Sequence, residues 1–323
     1  MTRIRHMSEG RKLATMIKSM VPVLEVEDLS VKFRQYDKGL RQVELEVIRS
    51  LSVSINAGEI LAVVGSSGSG KSLLAHAILG ILPSNAAIRG SMKYCGEELT
   101  EKRQQELRGK KIGFVPQAVT YLDPLMKVGR QVRGVNGTIK AQRGLFKKYG
   151  LKPEAEEMYP FQLSGGMARR VLVASAVIGE AGLIIADEPT PGLHPEIAEE
   201  TVRHFRRLAD EGRAVMFITH ELDLACRIAD KITVFYGGTT VETATAEEFI
   251  KGGGALRHPY SRALWEALPQ NGFKPIQGYQ PYAGDLPEGC IFLPRCRNKS
   301  EKCLICPAMR ELRGGSVRCH HAT

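Results

Sequence analysis

Short, almost wholly apolar runs recur along the chain and predict buried strands. They are residues 59–64 (EILAVV), 111–117 (KIGFVPQ), 182–188 (GLIIADE) and 214–220 (AVMFITH). Residues 71–82 and 167–178 have helical spacing instead, and the first of these segments stops at Pro83. Buried strands joined to helices in this way predict an α/β fold.

The remaining pattern divides the chain into regions of different character. Residues Lys231–Glu242 are predicted to form a hairpin around Gly237-Gly238. The other regions are a β-rich opening (22–90), a return to the core through a strand (91–117), a mainly helical segment (118–172), parallel strands and helices (182–242), a helical segment with a glycine break at 252–254 (243–265) and a Pro-, Gly- and Cys-rich end (270–323).

Composition indicates a globular protein that reaches a membrane only through partners. The 323 residues are 43% hydrophobic, and no apolar run is long enough to cross a bilayer. Residues 1–20 hold basic residues without an apolar core, so we expect a flexible arm or an overextended start and not a secretory signal. The net charge of +10 is spread along the chain without an aromatic-interleaved basic motif. A solvated surface near an anionic leaflet explains it, and we expect no nucleic-acid partner.

The first chemical motif is a glycine-rich loop between the strand at 59–64 and the helix at 71–82. This context favours phosphate binding, because glycines let backbone N–H groups wrap the phosphates and the helix N-terminus adds favourable partial charge. Lys71 is predicted to reach the β- and γ-phosphates, and the Ser72 hydroxyl to ligate Mg²⁺. The candidate nucleotide-binding residues are Gly65, Ser66, Ser67, Gly68, Ser69, Gly70, Lys71 and Ser72.

Polar residues at the ends of the other apolar strands supply candidate catalytic groups. Asp187 is predicted to hold the metal, and Glu188 to polarise water for attack on the γ-phosphate. Gln117 is placed to touch Mg²⁺ or the attacking water. His220, which ends the strand after Glu188, is a candidate contact to the γ-phosphate. In isolation each of these residues is an ordinary surface or turn residue; their position after a phosphate loop gives them the catalytic interpretation.

A second anion-binding motif follows at Leu163-Ser164-Gly165-Gly166, at the start of the helix over 167–178. One chain cannot readily fold this motif onto its own phosphate loop. In a head-to-tail dimer, Ser164, Gly165 and Gly166 would instead cover the γ-phosphate bound by the other subunit.

These motifs, in this order, resemble the nucleotide-binding subunit of an ATP-binding-cassette (ABC) transporter over about residues 22–320. The resemblance implies a P-loop NTPase core with a β-rich subdomain, a helical signature subdomain at about 118–172 and a small Cys-rich C-terminal extension. It implies that Phe33 stacks on adenine, although a plain core role is the alternative. It also makes Tyr121, Leu122 and Met126 candidates for permease contact, with subdomain core as the alternative.

Further segments resemble the oligopeptide/dipeptide/nickel importer branch of that family: 159–172 (YPFQLSGGMARRVL), 258–264 (HPYSRAL) and 289–296 (GCIFLPRC). The implied division is an N-terminal arm (1–21), an ATPase domain (22–250) and a C-terminal extension (251–323). The implied activity is ATP hydrolysis that drives import of peptides or a related solute such as a nickel or metal chelate. A non-transport ABC ATPase acting on ribosomes or DNA is the alternative.

The same resemblance implies the partners and the place of action. They are a second, non-identical ATPase subunit, two integral permeases and an extracytoplasmic solute-binding protein, with this chain at the cytoplasmic face of the membrane. One position departs from the family pattern: His194 stands where an aspartate usually connects the two nucleotide sites. We expect altered communication between the sites; alternatively, the partner subunit supplies enough of the contact.

Cysteines concentrate at the C-terminal end of the chain, whereas Cys95 and Cys226 are isolated and expected to be inert. Clustered thiols in a weakly periodic tail suggest a metal staple rather than disulfides. The resemblance matches Cys290, Cys296, Cys303 and Cys319 and implies a [4Fe–4S] cluster, with zinc or no metal as alternatives. Cys306 forms a C-x-x-C pair with Cys303 and is a possible substitute ligand.

Overall fold

The structure is a computed structural model that describes residues 21–36, 39–134 and 137–323. Apart from Val21, the arm predicted for residues 1–21 lies outside the described residues. The strands are β1 (Leu24–Tyr36), β2 (Gln42–Ile55), β3 (Ile60–Gly65), β4 (Ala86–Tyr94), β5 (Glu97–Glu98), β6 (Ile112–Val115), β7 (Leu183–Asp187), β8 (Ala214–Thr219), β9 (Lys231–Tyr236), β10 (Thr239–Thr245), β11 (Arg310–Leu312) and β12 (Gly315–Val317).

Several helices begin at a polar cap or at glycine, and the two segments with helical spacing in the sequence, 71–82 and 167–178, each contain a helix. Thr100, Thr138, Ser164 and Thr245 each accept a backbone N–H at a helix start. The helices are α1 (Lys71–Leu79), α2 (Glu101–Leu107), α3 (Val128–Arg133), α4 (Ile139–Lys148), α5 (Gly165–Val177), α6 (Pro195–Asp210), α7 (Leu222–Ile228), α8 (Ala246–Lys251) and α9 (Pro259–Glu266). Short 3₁₀ turns lie at Val119–Tyr121, Pro153–Glu157, Pro160–Gln162, Gly253–Ala255, Pro269–Asn271, Leu293–Arg295 and Glu301–Leu304.

The main sheet confirms the α/β prediction. Its strand order is β11-β12-β10-β9-β3-β8-β7-β6, and the run from β9 to β6 is parallel. These central strands are apolar along nearly their whole length because helices cover both faces of a parallel sheet. Their carboxyl ends meet at one edge, which carries the phosphate loop and the residues that follow β7 and β8.

A smaller antiparallel sheet, ordered β2-β1-β4-β5, forms the β-rich opening. Its inward-facing residues, among them Leu24, Val26 and Ile48, share a core with α1 and with one face of β3 and β7. A separate core lies on the other face of the main sheet, where α3, α4 and α5 pack with α6. The predicted helical segment is therefore present, although 3₁₀ turns interrupt it.

The β9–β10 hairpin is present as predicted. Its turn residues Gly237 and Gly238 have φ of 53° and 84°, the left-handed region that a two-residue hairpin turn requires. A Cβ on Gly238 would lie 2.1 Å from the carbonyl oxygen of Val47. Only glycine therefore permits both this turn and the close approach of β2.

The C-terminal region extends the main sheet, which weak periodicity did not indicate. Strand β12 pairs antiparallel with β10, so that Val317 lies opposite Glu242. Arg257 and Glu242 are completely buried beneath this junction, and Arg257 also binds Glu248 at 2.6 Å. Both Glu242 oxygens accept backbone N–H groups, from Arg257 at 2.7 Å and His258 at 2.8 Å. The buried charges are thus neutralised and hydrogen-bonded, as burial demands.

Within the described residues, no helix has both the length and the apolar character needed to span a bilayer.

Candidate functional site

The phosphate loop follows β3 and leads directly into α1. A Cβ on Gly65 would lie 2.5 Å from the Phe235 carbonyl oxygen, so glycine is required where the loop leaves the sheet. Gly70, with φ of 96°, precedes the first residue of the helix. Ser69 is buried and donates its N–H to the Ser66 carbonyl at 3.2 Å, whereas Ser67 and Gly68 are exposed. The loop therefore presents its outer residues at the N-terminus of a nine-residue helix.

Lys71 lies inside this loop. Its Nζ donates to the carbonyl oxygens of Gly65 at 2.8 Å and Ser66 at 3.0 Å. Burial lowers the pKa of Lys71, and the nearby carboxylates of Glu188 and Asp187 oppose that shift. The amine therefore lies close to the loop and to both acidic residues, as phosphate binding requires.

Asp187 and Ser72 together have the character of a magnesium site. Asp187 is 2% exposed, and its Oδ1 has no hydrogen-bond partner among the residues that the structure describes. Burial raises the pKa of Asp187, and a hydrogen bond with Ser72 opposes this shift. An unpartnered buried carboxylate oxygen beside a hydroxyl is the hard-oxygen environment that Mg²⁺ prefers. These residues therefore fit the metal.

Glu188 lies between the two other predicted catalytic residues. Its Oε2 accepts from Gln117 Nε2 at 3.1 Å, and its Oε1 is 3.2 Å from His220 Nδ1. Glu188 has φ of 46°, in the left-handed region, while its N–H donates to the Ile218 carbonyl at 2.9 Å. Such a backbone conformation is uncommon for glutamate and is typical of functional sites. The structure brings Gln117, Glu188 and His220 together, beside Asp187.

Two basic residues near this acidic pair were not predicted. His76 stands four residues after Ser72 on α1; burial lowers its pKa, and Asp187 opposes this shift. Arg169, on α5, donates to the Pro116 carbonyl at 3.0 Å; burial lowers its pKa, against the effect of Glu188 and Asp187. The i, i+4 spacing of Ser72 and His76 was a usable signal. Nothing in the sequence placed Arg169 near the acids.

The second anion motif lies apart from the first. Ser164 caps α5 by accepting the Met167 N–H at 3.3 Å, and Gly165 is exposed. Across the described ranges, no hydrogen bond or ion pair joins residues 164–166 to residues 65–72. A Cβ on Gly166 would meet the Gly192 carbonyl oxygen only at 3.9 Å, so this side of the motif is open. Ser164, Gly165 and Gly166 therefore face outward, available to a second subunit.

The residues predicted to contact adenine or a permease differ in their burial. Phe33 is half-buried against the core beneath the antiparallel sheet and lies opposite Leu45. Leu122 is buried in the core around α5, so the permease-contact prediction is wrong for that side chain. Tyr121 is 53% exposed, and its hydroxyl lies 3.3 Å from His76 Nε2. Leu125 is 88% exposed, which makes the segment after Gln117 an apolar surface.

The C-terminal cysteines divide into an inner set and an outlier. Cys290, Cys303 and Cys319 are buried, and Cys296 is half-buried. Burial raises the pKa of Cys290 to about 11, and the other three thiols reinforce the shift. Cys306 is exposed, with its Sγ near the Pro307 carbonyl. Among the residues the structure describes, no three candidate ligands converge on a single ion.

Comparison with known proteins gives two family matches. Residues 48–191 match the ABC transporter family, and residues 241–303 match the oligopeptide/dipeptide transporter C-terminal region. An oligopeptide transport ATP-binding protein from Haemophilus influenzae is 34% identical, with 93% of this chain and 97% of that protein covered. A dipeptide transport ATP-binding protein from Escherichia coli is 33% identical, with 93% and 96% covered.

Solved structures support the same fold. A dimeric ATP-binding cassette, MJ0796, in a post-hydrolysis state with ADP and phosphate, superposes with a TM-score of 0.60 at 23% identity. That match covers 69% of this chain and 98% of the cassette. The P-loop cassette fold therefore accounts for the sheet and helices around the phosphate loop.

Proposed function

Because the chain belongs to the ABC transporter family, in its oligopeptide/dipeptide branch, we propose that it is the ATP-hydrolysing subunit of a binding-protein-dependent peptide importer. The observation that carries the proposal is the joining of Gln117, Glu188 and His220 beside a phosphate loop, in a chain that matches its relatives nearly end to end. A nickel or other metal chelate is the alternative cargo.

The site supports hydrolysis of ATP with Mg²⁺. The loop over residues 65–72 holds the phosphates, and Lys71 neutralises their charge. Asp187, Ser72 and Gln117 are proposed to hold the metal, which supplies electrostatic stabilisation of the transferred phosphoryl group. Glu188 accepts a proton from the attacking water, and His220 orients the Glu188 carboxylate from its other side. Phe33 is proposed to stack on the adenine.

The outward placement of the second anion motif, Ser164-Gly165-Gly166, supports completion of the site by a second subunit. We assign Ser164, Gly165 and Gly166 to the partner subunit's ATP, and this chain's own ATP to the partner's corresponding motif. ATP binding would then close the dimer and hydrolysis would reopen it. The domain division at 22–250 and 251–323 stays a prediction. Strand β12 of the second part pairs with β10 of the first, so the two parts share one sheet.

The assembly we propose contains two integral permeases, a second ATPase subunit of different sequence and an extracytoplasmic solute-binding protein. This chain would lie at the cytoplasmic face of the membrane, with the exposed surface at Tyr121 and Leu125 against a permease. Isolation of the native complex, followed by mass spectrometry of subunits and bound solute, tests this. Two permeases and a peptide are the expected result. Co-purifying ribosomes or DNA without permeases would refute the proposal in favour of a non-transport ATPase.

His194 is proposed to alter communication between the two nucleotide sites. It is the N-cap of α6, yet its side chain makes no capping hydrogen bond. We expect His194→Asp to change ATPase cooperativity in the assembled complex. Because aspartate also caps helices, it should stabilise the fold by about 1 kcal/mol as well.

A cap-only control separates the two effects of that substitution. His194→Ser supplies a capping oxygen without the aspartate charge. If the aspartate variant and wild type have equal rates and Hill coefficients, the partner supplies the contact and the proposal fails.

The inner thiols, Cys290, Cys296, Cys303 and Cys319, are proposed to hold a [4Fe–4S] cluster, with zinc as the alternative. Their position supports the proposal, because Cys290, Cys303 and Cys319 are buried and Cys296 is half-buried within one short stretch of chain. Burial raises the pKa of Cys290, Cys296 and Cys319, so metal binding would have to displace their protons. Among the described residues no three candidate ligands gather around one ion, so the proposal depends on the shared burial of these thiols and on the family resemblance. Cys306 is the less suitable ligand because it is exposed.

Metal analysis of the full chain, purified without oxygen, tests this assignment. We expect iron and acid-labile sulfide in equal amounts, lost in Cys303→Ser and retained in the matched variant Cys306→Ser. Zinc in place of iron would select the alternative. A metal-free, folded wild type would rule out both.

A further inference from the structure

Ser66 of the phosphate loop is held by two groups from the far C-terminal region. Its hydroxyl donates to the Gln280 side-chain carbonyl oxygen. The Tyr260 hydroxyl is its other neighbour: burial raises the pKa of Tyr260, and its interaction with Ser66 opposes that shift. The Ser66 carbonyl meanwhile accepts from Lys71 at 3.0 Å. Ser66 thus links the phosphate-binding lysine to residues about two hundred positions later in the chain.

The group that reaches Ser66 from α9 is rigidly placed. Tyr260 is 2% exposed, and its ring lies 4.5 Å from that of Tyr236 and 5.3 Å from that of Phe292. These contacts hold the ring from two sides, and its hydroxyl lies next to Ser66. Such a hydroxyl orients its partner at little cost in conformational entropy, because the ring was already fixed by the core.

The segment that carries Gln280 is also anchored. We call residues 276–280 the C-terminal strap. Arg295 donates from Nε to the Gln277 carbonyl at 2.9 Å and from Nη2 to the Ile276 carbonyl at 3.3 Å. Its Nη1 donates to the Tyr236 hydroxyl at 3.3 Å. One guanidinium therefore ties the start of the strap to β9, which ends beside the phosphate loop, three residues before Gln280.

We propose that Tyr260 and Gln280 are positioning residues of the ATP site, which preorganise the phosphate loop through Ser66. The inference rests on the proposed ATPase function and deepens it: the C-terminal region completes the nucleotide site of its own chain. The loop binds phosphate with backbone N–H groups, so its affinity depends on how completely those groups are ordered before ATP arrives. The Gln280 hydrogen bond and the packed Tyr260 ring beside the same loop residue supply that order.

Equilibrium binding of MgATP to the full-length chain, by titration calorimetry, tests the proposal. We expect Gln280→Ala and Tyr260→Phe each to weaken binding about three- to tenfold, the effect of one lost hydrogen bond. Thermal stability should change little, since the phenylalanine ring keeps its packing. Two variants are the matched controls. Gln270→Ala removes a hydrogen bond to Asp223, and Tyr149→Phe removes a hydroxyl that has no hydrogen-bond partner within the described ranges.

A double-mutant cycle with Ser66→Ala shows whether Gln280 affects MgATP binding through Ser66. In that background Gln280→Ala should add no further loss, because its partner is already gone. Unchanged or tighter binding in both single variants, or a full additional loss in the Ser66→Ala background, overturns the proposal. If the proposal is overturned in this way, the proposed function still holds provided that the wild type binds MgATP and the Lys71→Ala variant does not. Absence of MgATP binding by the wild type would overturn both.

Discussion

Replacing Glu188 with glutamine is expected to reduce ATP turnover by about 10²- to 10⁴-fold while MgATP still binds. The amide keeps the shape of the side chain: its oxygen can accept from Gln117 and its nitrogen can donate to His220 Nδ1, which lie 3.1 and 3.2 Å from the carboxylate oxygens. What it loses is the ability to take a proton from water. Steady-state hydrolysis and ATP binding, measured side by side, separate these effects.

The same variant should accumulate as an ATP-bound closed dimer, because closure needs ATP and reopening needs hydrolysis. Size-exclusion chromatography of the assembled ATPase subunits with MgATP reports this state. Glu180→Gln, a carboxylate outside the site at the turn before β7, is the matched control and should behave as wild type. Rapid turnover by Glu188→Gln would remove the residue from the role of general base.

Replacing Lys71 with alanine is expected to weaken MgATP binding by about a hundredfold or more. The side chain bonds the Gly65 and Ser66 carbonyls and lies near Asp187 and Glu188, so its removal leaves the acids without their nearby positive charge. Loss of one partner from a buried, hydrogen-bonded charge cluster costs about 2–5 kcal/mol, and each 1.4 kcal/mol is tenfold in affinity. The phosphates would also lose their principal cation.

Titration calorimetry with MgATP checks this expectation. Lys251→Ala is the matched control, because Lys251 is exposed and pairs only with Glu247 one turn earlier on its own helix. A circular-dichroism spectrum shows whether the variant remains folded. ATP affinity within a few-fold of wild type would mean that Lys71 stays with the loop carbonyls and does not bind the phosphates.

The predictions that held depend on local signals. Strands β3, β6, β7 and β8 were recognisable because a buried parallel strand must be apolar almost throughout. The phosphate loop was recognisable because a tight approach to Phe235 and a left-handed turn before α1 both require glycine. Asp187, Glu188 and His220 were identifiable because strand ends in a parallel sheet share one edge, so residues far apart in sequence meet there.

The residues that were missed depend on contacts between distant segments. Arg169 lies near Glu188 only because α5 packs against the edge of β6, where its guanidinium finds the Pro116 carbonyl. Leu122 was a candidate for permease contact, but it faces the core around α5. The C-terminal strands β11 and β12 are three residues each, too short for periodicity to reveal.

By itself, then, the sequence determined the cassette family and predicted the phosphate loop, the acidic pair after β7 and the second anion motif at residues 163–166. Each of these features depends on residue types that can be recognised, with their chemistry, over a few neighbouring positions. Only the tertiary structure decided which side chains meet and which are buried: that Glu188 bridges Gln117 and His220, that Cys306 is exposed whereas the other C-terminal cysteines are buried or half-buried, and that Gln280 and Tyr260 lie against Ser66. The physical reason is that hydrogen bonds and burial depend on three-dimensional packing, and a local pattern contains no information about which distant segment will complete it.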